Sequence, residues 1–285
     1  MSGASRGGSP LKAKEFIYLL GLKPKPKTYG FVIEAHDLAR EGRIQVARWL
    51  HPGAYRIAAA QVQAVVDQLR RFLRAGDVAI DVGAHTGDTT IPIALAVGAS
   101  GVVLALEPNP YVFPVLERTA ALNRDKTNIV ALNFAAMRTD GTYEFQYGEA
   151  GYCNGGFHEG MSKWLHGSAF AVQVQGRNLQ AFLQASHADL MARLRFIKVD
   201  AEGFDLAVLQ TLEQLIRSRR PYLQVEMFSL RKSTPAYRRQ LYDFLVGHGY
   251  DVHRMNGGEN LLSELVTPGN LMRGNVYDVF CVPKD

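Results

Sequence analysis

The stretch VAIDVGAHTGDTT, residues 78–90, decides how the chain reads. Its first half is an apolar run containing one acid, Asp81, the pattern of a buried strand. Its second half turns through Gly83, Ala84, His85 and Gly87 toward a helix. Glycine has no Cβ, so it adopts positive φ and lets a ligand lie against bare backbone at the mouth of a strand. The helix that follows aims unpaired N–H groups at the same place. A purely structural turn uses the same residues, so a second signal is needed. It comes from GVVLALEPNP, residues 101–110, another apolar run that ends in an acid, Glu107. This lies about 20 residues beyond the turn, where a doubly wound sheet places the carboxylate that binds a ribose diol.

The turn also narrows the nucleoside. A dinucleotide site uses G-x-G-x-x-G, because its central glycine lets backbone approach a pyrophosphate. This turn reads D-V-G-A-H-T-G-D, with an acid before the glycine, another after, and no lysine for phosphate. That suits a cofactor with an ammonium group and no phosphates, and S-adenosylmethionine is such a molecule. A class I methyltransferase is the leading reading, with a nicotinamide-dependent enzyme or a degenerate nucleotide-binding scaffold as alternatives.

Around this centre lie 285 residues, 47% hydrophobic and 21% charged, an ordinary composition able to bury a full core. Cys153 and Cys281 lie far apart with no C-x-x-C, which indicates neither a zinc site nor a disulfide framework and favours a reducing compartment. No run of about 18 apolar residues is present to span a bilayer, and the N-terminus lacks the features of a signal peptide. A cytoplasmic protein is expected. The net charge of +5 is dispersed: Arg70, Arg71 and Arg74 close one predicted helix and Arg217, Arg219 and Arg220 another, where they complement the helix dipole.

Apolar periodicity predicts a β-hairpin over residues 30–50 and a helix over 58–74. Strand and helix then alternate: a strand ending in Asp81, a helix over 86–97, a strand over 102–107, a helix over 111–123 and a strand over 129–135. That alternation implies a parallel sheet. Residues 142–147 and 170–174 read as paired antiparallel strands. Between them, residues 148–168 are rich in Gly and aromatics and long enough to serve a site. A helix over 178–194, a strand over 195–200, a helix over 204–217, a strand over 221–226 and a helix over 235–247 follow. Residues 250–255 and 276–282 read as a closing antiparallel pair. The expected organisation is an N-terminal tail and hairpin extension, residues 1–57, before a Rossmann-like domain, residues 58–285. Its expected fold is α/β, with a seven-stranded, mostly parallel sheet, an antiparallel closing strand and helices on both faces.

Asp81, Glu107, Asp200 and Glu226 belong to apolar strand runs and are expected at the carboxyl edge of the sheet, where open α/β proteins bind ligands. In VDAEGFD, residues 199–205, Asp200 and Glu202 lie two apart and project to similar sides of an extended segment. Methyl transfer from a sulfonium is a displacement in which positioning of the acceptor lone pair does much of the catalysis. An alcohol acceptor must also lose its proton, to a carboxylate or with the help of a carboxylate-held cation. Asp200 and Glu202 are therefore the candidate catalytic acids. The plainer alternatives are a helix cap for Asp200, a backbone hydrogen bond for Glu202 and side-chain orientation for Glu226. His158, in the Gly-rich loop, is a further candidate base because imidazole titrates near neutral pH; His166 is a weaker one. No H-x-H or H-x-x-x-H pair occurs, so no metal ligand is assigned and a divalent cation would rest on the acids alone.

These motifs resemble the FkbM-type S-adenosylmethionine-dependent methyltransferases over roughly residues 75–228. The family's DVGAxxGxxT is matched by Asp81, Val82, Gly83, Ala84, Gly87 and Thr90, with His85 where asparagine is common. Its ExP segment is matched by Glu107 and Pro108, and its N-x-A before a D-G turn by Asn133, Ala135, Asp140 and Gly141. The most specific motif resembles IKxDxEGxExxVL, matched by Ile197, Lys198, Asp200, Glu202, Gly203, Val208 and Leu209, with Asp205 in place of glutamate. A T-L-D triplet common before it is absent, the chain reading Arg177-Asn178-Leu179-Gln180. The resemblance implies O-methylation, commonly of a sugar hydroxyl in a glycan or natural product. By analogy with the fold, Asp81 and the backbone from Gly83 to Gly87 hold the methionine moiety and Glu107 the ribose hydroxyls. Asn109 meets the adenine edge, Ala135 and Ala136 line its pocket, and Asp200 and Glu202 face the acceptor. The partner expected is a small-molecule or glycan acceptor. Nucleic acid is not expected, because Val-Asp-Ala-Glu-Gly stands where exocyclic-amine enzymes grip a flipped base and no Pro-Cys nucleophile is present.

Overall fold

The computed structural model of the chain describes residues 27–54, 58–147, 155–156, 170–228 and 234–284. The expected leader, most of the 148–168 loop, Cys153, His158 and His166 lie outside the described residues. Strands β3 (Val78–Val82) and β4 (Val102–Leu106) are buried along their whole length, as near-continuous apolar runs are when both faces of a parallel sheet are covered. They sit inside an eight-stranded sheet of order β13-β12-β14-β11-β10-β3-β4-β5. Here β5 is Ile129–Leu132, β10 Leu194–Val199, β11 Tyr222–Met227, β12 Tyr250–Asn256, β13 Asn260–Leu265 and β14 Tyr277–Pro283. The five strands from β11 to β5 run parallel, and β14, β12 and β13 close the sheet antiparallel.

Alternation along the strands feeds two cores. Ile80, Leu104 and Ile197 face helices α4 (Leu179–Ser186), α5 (Asp205–Thr211), α6 (Glu213–Arg219) and α7 (Thr234–Gly247). Ala79, Val103, Phe196 and Phe280 face α1 (Ala59–Leu69), α2 (Thr90–Val97) and α3 (Phe113–Ala121). A second, four-stranded sheet of order β6-β9-β7-β8 stands beside the carboxyl edge of the first. It comprises β6 (Ala135–Met137), β7 (Gly141–Tyr147), β8 (Gly155–Gly156) and β9 (Phe170–Asn178).

The N-terminal hairpin of β1 (Phe31–Leu38) and β2 (Gly42–Trp49) is fastened to this body by polar contacts. The side chain of Asn123 accepts from Gln45 N at 2.8 Å and donates to Gln45 O at 2.7 Å, completing the strand's bonds as a partner strand would. Lys126 Nζ donates to the carbonyls of Glu41 and Arg43, both at 2.8 Å, at the hairpin turn.

Several expected boundaries shift, each for a local reason. The helix expected from residue 86 begins at Thr90, because His85 and Gly87 take positive φ and cannot join a right-handed helix. The strand expected over 129–135 divides into β5 and β6: Asn133 turns out and donates to Glu107 O at 2.8 Å, and the chain changes sheets. The helix expected over 178–194 ends at Ser186, before His187 with φ −142°, and a single 3₁₀ turn, Leu190–Arg193, follows. The helix expected over 204–217 breaks at Leu212, just after Thr211 bonds its hydroxyl back to Val208 O at 2.7 Å. The main sheet has eight strands, not seven, because residues 260–265 return after a Gly257–Gly258 turn as β13. No helix among the described residues is long and apolar enough to cross a membrane.

The end of β11 is tied down by Arg238, a 1% exposed residue on α7. Its guanidinium donates to Met227 O, Phe228 O and Gly274 O at 2.9, 3.2 and 3.1 Å and lies 4.9 Å from the Tyr277 ring centre. Arg238→Met leaves carbonyls without donors, and urea unfolding should show a loss of about 2–4 kcal/mol.

Candidate active site

Gly83 opens the turn after β3, and its N–H and that of Ala84 both donate to Leu106 O, at 3.0 and 2.9 Å. A Cβ on Gly83 would stand 1.9 Å from the carbonyl oxygen of Asp200, and φ is +79°, so only glycine serves where β10 ends against the turn. His85 follows at φ +50°, a conformation that costs a non-glycine residue about 1–2 kcal/mol. Its backbone N–H donates to Glu107 Oε2 at 3.0 Å, while Asn109 N–H donates to Oε1 at 2.7 Å. Glu107 is thereby fixed from both sides, although burial pushes its carboxyl above the usual range. Asn109 Oδ1 accepts from Tyr111 N at 2.9 Å and starts the chain toward α3.

The second half of the site hangs on Lys198, only 3% exposed and next to last in β10. Its ammonium lies 3.2 Å from Asp81 Oδ1, an ion-pair contact off the line of a good hydrogen bond, and 3.4 Å from Asp200 Oδ2. It also donates to Gly83 O at 3.3 Å. Burial works against the lysine's charge, but Asp81 and Asp200 outweigh it and hold the ammonium form beyond its ordinary range. The other oxygen of Asp81 accepts from the hydroxyls of Thr90 and Thr89, at 2.6 and 3.3 Å.

Beyond Asp200 the chain wraps around Asp205, which accepts from Ala201 N, Gly203 N and the Tyr237 hydroxyl at 2.8, 3.1 and 2.8 Å. Glu202 sits at the crest of this turn with φ +50°. Burial, then the Asp200 and Asp205 charges, push the Glu202 carboxyl up to about 7. Burial pushes Asp205 to about 6. On β11, Glu226 pairs in register with Asp278 of β14, and its Oε2 is buried without a hydrogen-bond partner. Burial and then the charges of Asp200, Asp205, Glu202 and Asp278 push it to about 9.

One cavity of about 380 Å³ joins the two halves. Gly83, His85, Glu107, Asn109, Ala135 and Ala136 line it on the side expected for the cofactor, and Asp200, Glu202 and Lys198 line it beyond. Phe145 and Tyr147 from β7, with Phe134 and Phe204, give it aromatic walls. Asp81, Ala84 and Gly87 do not line it. Asp81 and Ala84 are wholly buried behind Gly83, and Gly87 packs toward Thr119 and Leu116 of α3. Glu226 lies off this cavity as well. Among the described residues, no group of three or more His, Cys, Asp or Glu side chains is arranged to hold a metal ion. The sequence reading gave Lys198 no role, although a single charge inside the apolar run RFIKV is a signal that it is paired. It also passed over Phe145 and Tyr147, which the alternation of β7 puts on one face.

The Methyltransferase FkbM domain matches residues 81–252, more than half of the chain. The chain belongs to the FkbM methyltransferase family. It is a methyltransferase and its cofactor is S-adenosylmethionine. No curated protein matches it. Solved structures similar to it are distant. The methyltransferase FkbM from Methylobacillus flagellatus KT is 14% identical with a TM-score of 0.44; the match covers 73% of this chain and 44% of that one, so this chain spans less than half its length. A putative O-methyltransferase from Klebsiella pneumoniae is 13% identical, covering 81% and 83% with a TM-score of 0.44. The Aeropyrum pernix fibrillarin, solved with natively bound S-adenosyl-L-methionine, is 12% identical, covering 90% and 99% with a TM-score of 0.41.

The acids of this FkbM methyltransferase give its stability a definite pH dependence. Glu226 has a folded pKa above its unfolded one, so between about 4.5 and about 9 the folded protein holds a proton that the unfolded chain has released. Stability therefore falls as pH rises through that window, and Glu202 and Asp205 act in the same direction over its lower part. Glu226→Gln stays neutral throughout. Its urea midpoint should gain steadily on that of the wild type as pH rises from about 5 to about 9.

Proposed function

We propose that this enzyme transfers a methyl group to a hydroxyl oxygen, most simply that of a sugar in a glycan or natural product. The observation that carries the reading is that Asp200 and Glu202 share one cavity with Glu107 and Asn109. The cofactor supplies a methyl carbon on a positive sulfonium, open to displacement by an oxygen lone pair. The residues present fit it. Each oxygen of Glu107 accepts one backbone N–H, which leaves acceptor capacity on the carboxylate for a ribose diol. Asn109, Ala135 and Ala136 line the same cavity and are assigned to the adenine, and the backbone at Gly83 and His85 to the methionine part. Asp81 acts from behind, through Lys198 and the two threonines.

On the acceptor side, the Lys198 ammonium, 3.4 Å from Asp200 Oδ2, holds that side chain in place, so Asp200 orients the incoming hydroxyl. Glu202, with a carboxyl poised near 7, takes the hydroxyl proton. Phe145 and Tyr147 offer rings on which the C–H face of a sugar can lie. Among the described residues carboxylates dominate this wall, and the one lysine on it is already committed to two of them, a poor setting for phosphate-rich acceptors.

Labelled cofactor should be incubated with a panel of sugars and polyols and the linkage of the transferred methyl determined. Transfer to nitrogen or carbon in place of oxygen would overturn the reading. With a working acceptor, Glu202→Gln should lower kcat roughly 100-fold while leaving S-adenosylhomocysteine affinity unchanged. The wild-type rate should climb through about pH 7, and the variant should lack that climb.

A further inference from the structure

Trp49 is the last residue of β2 and lies outside the span that carries the family match, yet it reaches the cofactor turn. It is 1% exposed, and its ring meets that of His85 edge-on, with centroids 5.7 Å apart and planes at 74°. That spacing is a favourable aromatic contact. His85 is the strained residue of the turn, held at φ +50°. Its ring Nε2 is buried with no hydrogen-bond partner, so no polar contact through that atom keeps the ring in place. What the ring anchors is the backbone beneath it. A relaxation of His85 toward ordinary φ would swing its N–H off Glu107 Oε2, one of the two donors that orient the carboxylate.

Trp49 is itself well secured. Its indole N–H donates to Tyr29 O at 3.1 Å, and it stacks on His51 at 4.7 Å and 24°. The Tyr29 ring meets His51 edge-on at 4.7 Å. His51 Nδ1 accepts from Gly53 N at 2.9 Å, and Gly53 lines the active-site cavity. The hairpin thus delivers a fixed stack of rings to the mouth of the site.

We propose that Trp49 is a positioning residue of the cofactor site: its indole holds the His85 ring, and through it the backbone N–H that orients Glu107. The hairpin is then a working part of the site. This rests on the reading that Glu107 binds the ribose. Trp49 also packs with Val112 and Val115 near the start of α3, which gives a purely structural role a route of its own.

The two routes separate in a double-mutant cycle, read by calorimetry with S-adenosylhomocysteine alongside thermal melts. Trp49→Leu should weaken binding about tenfold in the wild-type background. His85→Gly tolerates positive φ without a ring to hold it, so in that background Trp49→Leu should add little. An equal loss in both backgrounds would assign the effect to the Val112 and Val115 packing and overturn the proposal, as would unchanged affinity in the single variant. Trp49→Phe keeps a smaller ring and should lose less; if the leucine variant does not fold, the same cycle is run with it and the same two outcomes decide. Glu107→Gln with wild-type affinity would instead bring down the ribose reading itself.

Discussion

A lysine buried between two aspartates holds this site together. Lys198 is in register with Asp81 on the neighbouring strand and two residues before Asp200 on its own, so one ammonium joins β3, β10 and the turn that leaves each. Taking such charges out of water costs several kcal/mol per ion, and mutual attraction offsets this only where the remaining lone pairs are also satisfied. Here Thr89 and Thr90 take up one oxygen of Asp81, Gly83 O takes a third contact from the lysine, and Asp200 stays partly open to solvent. Apolar residues of similar volume would close the core as well. They would not hold the Asp200 side chain at the edge of a cavity, nor draw the Gly83 turn against the end of β10 closely enough to exclude any side chain but glycine's.

The remaining acids follow from that anchoring. The charge of Asp200 bears on Glu202, Asp205, Glu226 and Asp278, and burial is the larger cause in each of the four. Asp205 relieves its burial by accepting three hydrogen bonds and becomes the post around which the 200–205 turn winds. Glu202 has no such support among the described residues, faces the cavity and sits at φ +50°. The same short motif therefore gives one carboxyl to structure and turns another toward the cavity, where the proposed chemistry needs it.

Much of this is legible in the sequence, for identifiable reasons. Strands of a covered parallel sheet are continuous apolar runs, so VAIDV, VVLAL and the acids at their ends stand out without any knowledge of neighbours. Helix starts are less legible, because periodicity cannot sense that His85 and Gly87 will take positive φ. The change of sheet at Asn133 depends on a carbonyl 26 residues earlier in the chain, at Glu107. Lys198 is visible as an anomaly inside an apolar strand, but its role depends on the register of β10 against β3, a property of the folded sheet and not of local spacing. For the same reason Asp81 reads as a ligand contact when its carboxylate is in fact spent on Lys198 and two threonines.

A hollow with one protonated carboxyl in its wall, at Glu202, and another beyond it, at Glu226, is responsive to incoming charge. Glu202 and Glu226 are protonated more than ordinary glutamates because they are buried near other acids. A positive charge entering beside Asp200 favours their ionised forms, by the same Coulombic rule that raises them in its absence. Linkage makes the effect reciprocal: if a bound cation lowers these pKa values, then raising the pH strengthens binding of the cation by the same free energy. A neutral molecule of the same shape has no such coupling. On the proposed assignment the cavity would distinguish a sulfonium from the uncharged thioether left after methyl transfer, and Glu202 would ionise more readily with the donor in place than with the product. On that assignment the timing of Glu202 would come from its burial and the neighbouring charge of Asp200, the two largest causes of its raised pKa.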